Sequence, residues 1–148
     1  MLLNKENKVF VARRIVPATK AWQMPQGGID EGETPETAAF RELKEEIGTN
    51  NVQILAESQI WHTYDFPSYL IGKLWGGNYR GQRQKWFLMR FLGEGTEINI
   101  ATEHPEFCDW RWIEIKELPI LAISFKRETY QALINEFSPL LGSSIDKS

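Results

Sequence analysis

The sequence predicts an α/β chain, and three observations carry that reading. Two stretches have helical periodicity, several short runs of strand formers are bounded by turn residues, and no repeat or linker divides the 148 residues. The length suits a single domain, 1–148, able to bury about two thirds of the surface of its unfolded chain. With 42% hydrophobic and 25% charged residues the chain falls among soluble globular proteins rather than disordered ones. No apolar run approaches the roughly 18–20 residues of a membrane span. Cys108 is the one cysteine, so no internal disulfide can form. Met1-Leu2-Leu3 runs straight into polar and charged residues, unlike a signal peptide. A reducing cytoplasm is the expected compartment.

In chain order, Lys8 to Arg14 reads as a strand after a turn at Asn4 to Asn7. Ala21-Trp22-Gln23-Met24-Pro25-Gln26-Gly27-Gly28 follows, and paired glycines let a backbone approach a ligand closely. The next element is a helix. Thr34 is placed to cap it, Pro35 suits its first position, Glu36 lies where the macrodipole favours negative charge, and Gly48 marks its end.

At 100° per residue, Ala39, Phe40, Leu43 and Ile47 share one arc of this helix, and Glu42, Glu45 and Glu46 share the adjoining one. Like charges at i,i+3 and i,i+4 destabilise an isolated helix by roughly 0.2–0.5 kcal/mol per pair, so a positive partner is expected. Hard divalent cations take oxygen ligands, and Mg²⁺ is commonly held by a few carboxylates together with water and substrate phosphates. The plain alternative is a solvated acidic face.

Val52 to Ile60 is rich in strand formers, Trp61 to Tyr69 reads as an aromatic and polar loop, and Trp75 to Gln84 as a long hairpin connection. Lys85 to Leu92 is the best candidate for a central strand. Glu106 stands just before a short strand, Phe107 to Ile113. Ser124 is placed to cap a last helix whose Tyr130, Leu133, Ile134 and Phe137 share one face, and a polar, loose tail is expected from Gly142 to Ser148.

The net charge of −3 is unevenly spread. Gly28 to Glu46 carries seven acids against Arg41 and Lys44, whereas Pro67 to Gly93 has no acid and five cations, Lys73, Arg80, Arg83, Lys85 and Arg90. That split suits an acidic metal site beside a basic region that meets a polyphosphate, although a solvated basic loop would look the same.

Written out, the acidic stretch is Gly27-x5-Glu33-x7-Arg41-Glu42-Leu43-x-Glu45-Glu46-x-Gly48, and it resembles the Nudix hydrolase signature at every fixed position but the last. Thr49 stands where that family usually has an aliphatic residue, at a position that looks like a packing one. The Trp22 to Gly28 run and Pro105 to Ile113 further resemble the branch of RNA pyrophosphohydrolases and dinucleoside polyphosphate hydrolases. Members of that branch usually begin with an additional strand. Met1 falls inside or after it, which would leave an exposed edge beside Val9 to Arg14.

The resemblance implies an α/β/α sandwich around a mixed sheet, and Mg²⁺ as cofactor, with Mn²⁺ or another divalent metal as alternatives. It implies Glu42, Glu45, Glu46 and Glu106 as metal ligands, one of them accepting a proton from water, and Glu33 and Arg41 as the pair that orients them. Arg14, Lys85 and Lys126 are the expected phosphate contacts, Gly27 and Gly28 the close-approach backbone, and Tyr64 and Phe125 the platforms for a base, unless these rings belong to the core. The expected substrate is 5′-triphosphorylated RNA, losing pyrophosphate. A dinucleoside polyphosphate or a binding module without turnover are the alternatives, and the intact acids weigh against the module.

Overall fold

Alternation along Val9–Arg14 organises the molecule. Val9 and Val11 face one side of the sheet, Phe10 and Ala12 the other, and all four are fully buried, so helices must cover both faces. This computed structural model describes residues 1–15, 20–26, 32–59, 62–65, 81–123 and 126–146.

The strands are β1 (Leu2–Leu3), β2 (Val9–Arg14), β3 (Val52–Glu57), β4 (His62–Asp65), β5 (Gly81–Gln84), β6 (Phe87–Phe91) and β7 (Phe107–Ile113). The helices are α1 (Pro35–Ile47), the short α2 (Leu118–Leu121) and α3 (Arg127–Asp146). Five strands form one sheet in the order β3-β6-β1-β2-β7, with β4 and β5 as a separate antiparallel pair. The β1–β6 contact is parallel and the other pairings in the sheet are antiparallel, so the sheet is mixed.

One apolar layer joins Leu3, Val9, Val11, Met24 and Leu88 to Tyr130, Leu133 and Phe137 of α3. The opposite layer joins Leu2, Phe10, Ala12, Phe87 and Met89 to Leu43 and Ile47 of α1. Phe10 stacks on Trp110 at 5.4 Å between ring centroids and meets Trp112 edge-on at 5.6 Å. Two helical layers on one mixed sheet make the expected α/β/α sandwich.

Four expectations change. The first concerns the exposed edge of β2: Leu3 pairs with Val9 at one end, and Gln23 makes both backbone hydrogen bonds to Ala12 at the other, at 2.8 and 2.9 Å. Two residues of β1 suffice because β6 supports them from the far side. Secondly, His62–Asp65, read as loop, is a strand, and Gly81–Gln84, read as connection, is its partner. Cross-strand pairing overrides weak local propensity there.

Thirdly, α3 runs through Gly142 to Asp146, beyond where a loose tail was expected to begin, because extending a formed helix costs less than nucleating one. The fourth concerns Arg90. Its Nη1 donates to Asn4 O and, at 2.7 Å, to Asn7 Oδ1, so it fastens the β1–β2 turn, where Asn7 sits at φ 60°, rather than meeting a polyphosphate.

Candidate functional site

The acidic helix begins and ends by local chemistry. Thr34 Oγ1 accepts from Thr37 N at 3.1 Å, and Pro35 opens the first turn. Gly48 closes α1 at φ 81°, and a Cβ there would lie 2.7 Å from Asn99 O, so glycine is required for two reasons. Thr49 is buried and its Oγ1 accepts from Asn51 N at 3.1 Å, which makes the position a packing one despite the hydroxyl.

Arg41 gathers three carboxylates. Its Nε and Nη2 form a fork on Glu33 at 2.7 and 2.8 Å, while Nη1 reaches Glu42 Oε1 at 2.9 Å and Glu45 Oε2 at 3.1 Å. A planar guanidinium can hold such a set where a lysine could not, and the surrounding acids push its pKa up. Loop and helix are thereby joined beside the acid arc.

The three acids of that arc differ in environment. Glu45 is exposed, Glu42 is partly covered, and Glu46 is only 2% exposed. The acid arc is thus divided, with its Glu46 flank buried and its Glu45 flank in solvent, so a wholly solvated acidic face, the plain alternative, does not describe it. Burial pushes the Glu46 carboxyl well up, assisted by the nearby carboxylates of Glu106 and Glu42. Burial also raises Glu42, against the opposing hydrogen bond and charge of Arg41. Glu46 Oε2 is buried with no hydrogen-bond partner.

Glu106 reaches this group through the geometry of β7. Arg13 pairs with Asp109 but Arg14 pairs with Phe107, so Cys108 is an extra residue in β7, a β-bulge beside the acids. Ile15 N donates to Glu106 O at 2.9 Å, and Cys108 Sγ lies 3.8 Å from Arg14 O. The bulge shifts the side-chain alternation by one place, putting Phe107 among the α1-side residues and Ile113 on the α3 side.

Cations stand close by. Arg14 opposes the upward shift of Glu46, and it also acts on Lys126, which is 6% exposed, with its Nζ 3.4 Å from Gln23 Oε1. Desolvation lowers the Lys126 pKa to about 8, with Arg14 adding to the shift and Glu46 opposing it. Gln23 itself is buried and bridged to Ala12; sequence reasoning quoted it within the Trp22 to Gly28 run but gave it no role.

Lys85 precedes β6 and therefore lies at the same end of the sheet as Arg14 and Glu106, since β6 is parallel to β1 and antiparallel to β2's direction. Tyr64 pairs through its backbone with Gln82 in the β4–β5 ribbon. Gly27, Gly28 and Phe125 lie outside the described residues. So do Lys73 and Arg80 of the basic stretch.

Among the described residues no group of three His, Cys, Asp or Glu side chains is already gathered closely enough to hold a metal ion. The donor set is nonetheless one of hard oxygen ligands, with a buried, unpartnered carboxylate oxygen and repulsion between neighbouring acids that a cation would relieve. An open set of this kind fits Mg²⁺, which keeps waters and substrate oxygens among its ligands.

A NUDIX domain model matches residues 1–133. The RNA pyrophosphohydrolases of Rickettsia typhi and Rickettsia prowazekii are each 55% identical over 141 residues, covering 95% of this chain and 88% of theirs. Among solved structures, the E. coli dihydroneopterin triphosphate pyrophosphohydrolase superposes with a TM-score of 0.70 at 19% identity, over 92% of this chain and 93% of that one. A C. elegans Ap4A hydrolase binary complex gives 0.67 at 20% identity, over 96% and 95%. At such identities the structural likeness speaks for the fold alone.

Proposed function

Because this chain belongs to the Nudix hydrolase family, a family typically dependent on divalent metal, we propose that it is an RNA pyrophosphohydrolase, releasing pyrophosphate from 5′-triphosphorylated RNA. The observation that carries this is the 55% identity, over nearly the whole chain, to relatives bearing that name. The same reading extends to diphosphorylated ends and treats 1–148 as a single domain. A dinucleoside polyphosphate hydrolase is the alternative, supported by the motifs that its branch shares with this sequence, while the C. elegans Ap4A hydrolase at 20% identity adds the fold alone.

Glu42, Glu45, Glu46 and Glu106 would hold the metal. Mg²⁺, or Mn²⁺ in its place, supplies neutralisation of phosphoryl oxygens and a more acidic water when bound. Arg41, fixed on Glu33, keeps Glu42 and Glu45 aimed along the helix face. One carboxylate of the four accepts a proton as water attacks a phosphoryl group; the anhydride P–O bond breaks, pyrophosphate departs and the RNA keeps a 5′-monophosphate. Glu46, whose carboxyl burial and the neighbouring acids push up, is best suited of the four to take and hold that proton. Arg14, Lys126 and Lys85 receive the negative oxygens of the polyphosphate, with Gly27 and Gly28 in close backbone approach and Tyr64 and Phe125 against a base.

The deciding experiment presents 5′-triphosphorylated RNA and diadenosine tetraphosphate to the same enzyme with Mg²⁺ and compares kcat/KM. A strong preference for RNA is expected. Preference for the dinucleotide would transfer the assignment to the alternative, and no turnover of either would leave a binding module.

A further inference from the structure

Beside the candidate site, on the α3 side of the sheet, one indole holds two cations. The Arg111 guanidinium carbon lies 4.3 Å from the Trp22 ring centroid and that of Arg13 lies 5.2 Å from it. Both arginines come from paired strands: Arg111 faces Val11 across the ladder and Arg13 faces Asp109, so they are diagonal neighbours on one face. Among the described residues, the carboxylate paired with this cluster is that of Asp109, which reaches Arg13 Nη2 only at 3.5 Å, with its own side chain 52% exposed. Arg13 Nε is buried without a hydrogen-bond partner, Arg111 is exposed, and Lys20 stands exposed two residues before Trp22.

Two like charges gathered on one ring, with only the half-exposed Asp109 against them among the described residues, form a place for an anion. The cluster is linked to the candidate site through Trp22, which adjoins Gln23, whose Oε1 lies 3.4 Å from Lys126 Nζ; Arg14, next after Arg13, takes the other face at the end of β2. From Arg14 back to Val11, opposite Arg111, is about 10 Å at 3.2–3.4 Å per residue, a nucleotide or two of single strand.

We infer that Arg13, Arg111 and the Trp22 that holds them form a phosphate-binding track for the RNA chain downstream of its reacting 5′ end. This rests on the RNA reading above. Trp22 fixes the two side chains in advance, so less entropy is lost when their N–H groups meet phosphodiester oxygens. The contacts are to backbone, so they select length rather than sequence.

The test uses Arg111→Ala and Arg13→Ala in the full chain. kcat/KM is measured on a triphosphorylated dinucleotide and on a triphosphorylated RNA of about a dozen nucleotides across a salt series. Arg111→Ala is expected to lower kcat/KM several-fold on the longer RNA alone, and to flatten its log–log salt dependence by about 0.7, the release expected for one single-strand phosphate contact. Equal losses on both substrates, or no loss and an unchanged slope, would overturn the track. If the wild type turns over neither RNA, the functional reading has failed by itself. The track is then judged with 5′-hydroxyl RNA by fluorescence anisotropy, where it requires weaker binding by Arg111→Ala and is overturned by equal binding.

Discussion

Replacing Lys126 by methionine should make the metal-free protein more stable while weakening its hold on substrate. Methionine is a flexible apolar side chain that can follow the path of the lysine stem. Desolvation, with the repulsion of Arg14 added and the attraction of Glu46 against it, takes the ammonium from its usual 10.5 to about 8, so folding with the charge in place costs about 3 kcal/mol at 1.36 kcal/mol per unit, an upper bound. Against that, the substitution removes the 3.4 Å contact to buried Gln23 Oε1, and an acceptor deprived of its donor costs about 1–2 kcal/mol. The balance is a gain of about 1–2 kcal/mol, or roughly 2–8 °C in Tm for a chain of this size.

The pH dependence identifies the cause. With a folded pKa below the unfolded one, Lys126 lowers stability by its full amount below about pH 8, and the deficit fades as pH rises from there to 10.5, where both states are neutral. Melting curves of the wild type and Lys126→Met at pH 7 and pH 10 should therefore differ clearly at the first and little at the second. A mutant that melts lower, or whose advantage ignores pH, would mean that the ammonium is well satisfied where it is. The same mutant should lose kcat/KM on triphosphorylated RNA.

Three more outcomes follow from the acids and the bulge. Glu45→Gln should retain Tm, since Glu45 is exposed and glutamine has similar helix propensity, yet lower turnover by roughly two orders of magnitude or more through weaker metal coordination; near-normal hydrolysis at saturating Mg²⁺ would remove it from the ligand set. Glu46 has a raised folded pKa, so its contribution is present below the ordinary carboxylate range and lost as pH rises through the folded value. Wild type in EDTA should then lose Tm with rising pH more steeply than Glu46→Gln, and Mg²⁺ should narrow the gap; parallel curves would show that Glu46 is not the source. Deleting Cys108 should abolish turnover while a Cys108→Ser control keeps it, because only the deletion moves Glu106 to the other alternation. Activity retained in the deletion, read by pyrophosphate release, would show that the bulge does not place Glu106.

Helix α1 was legible because its signals are local: Thr34, Pro35 and Gly48 act within a turn of where they stand, whereas the pairing of Arg41 with Glu33, eight residues apart, was legible only through the family resemblance. The position of β1 was not, since two residues gain their meaning from a parallel partner at Met89 and Arg90. Charge counting included Arg90 in the basic stretch expected to meet a polyphosphate, although a turn at Asn4 to Asn7 claims its guanidinium. A helical wheel put Glu45 and Glu46 on the same arc. Which of the two is buried depends on how α1 docks against the sheet end, and no pattern within the helix contains that.

That docking also explains why the site stores unfavourable charge instead of cancelling it. Glu46 and Lys126 lie close enough to influence one another, and in most interiors such a pair would settle as a buried salt bridge. Here each is displaced toward its neutral form. The attraction of Glu46 comes last among the influences on Lys126, behind desolvation and the repulsion of Arg14, while Glu46 is itself raised by burial and by Glu106 and Glu42. Arg41 is taken up by Glu33, Glu42 and Glu45, so the largest charge influence on Glu46 is another acid, Glu106, and that on Lys126 is another cation, Arg14. On the proposed reading the missing charges enter together, a divalent cation against the carboxylates and a polyphosphate against Arg14 and Lys126. Either alone relieves one half of the site, and both must be present before the two halves cease to oppose folding. Mg²⁺ and an unreactive triphosphate analogue should therefore raise Tm more in combination than the sum of their separate effects, as linked ligands do, and simple additivity would deny the coupling.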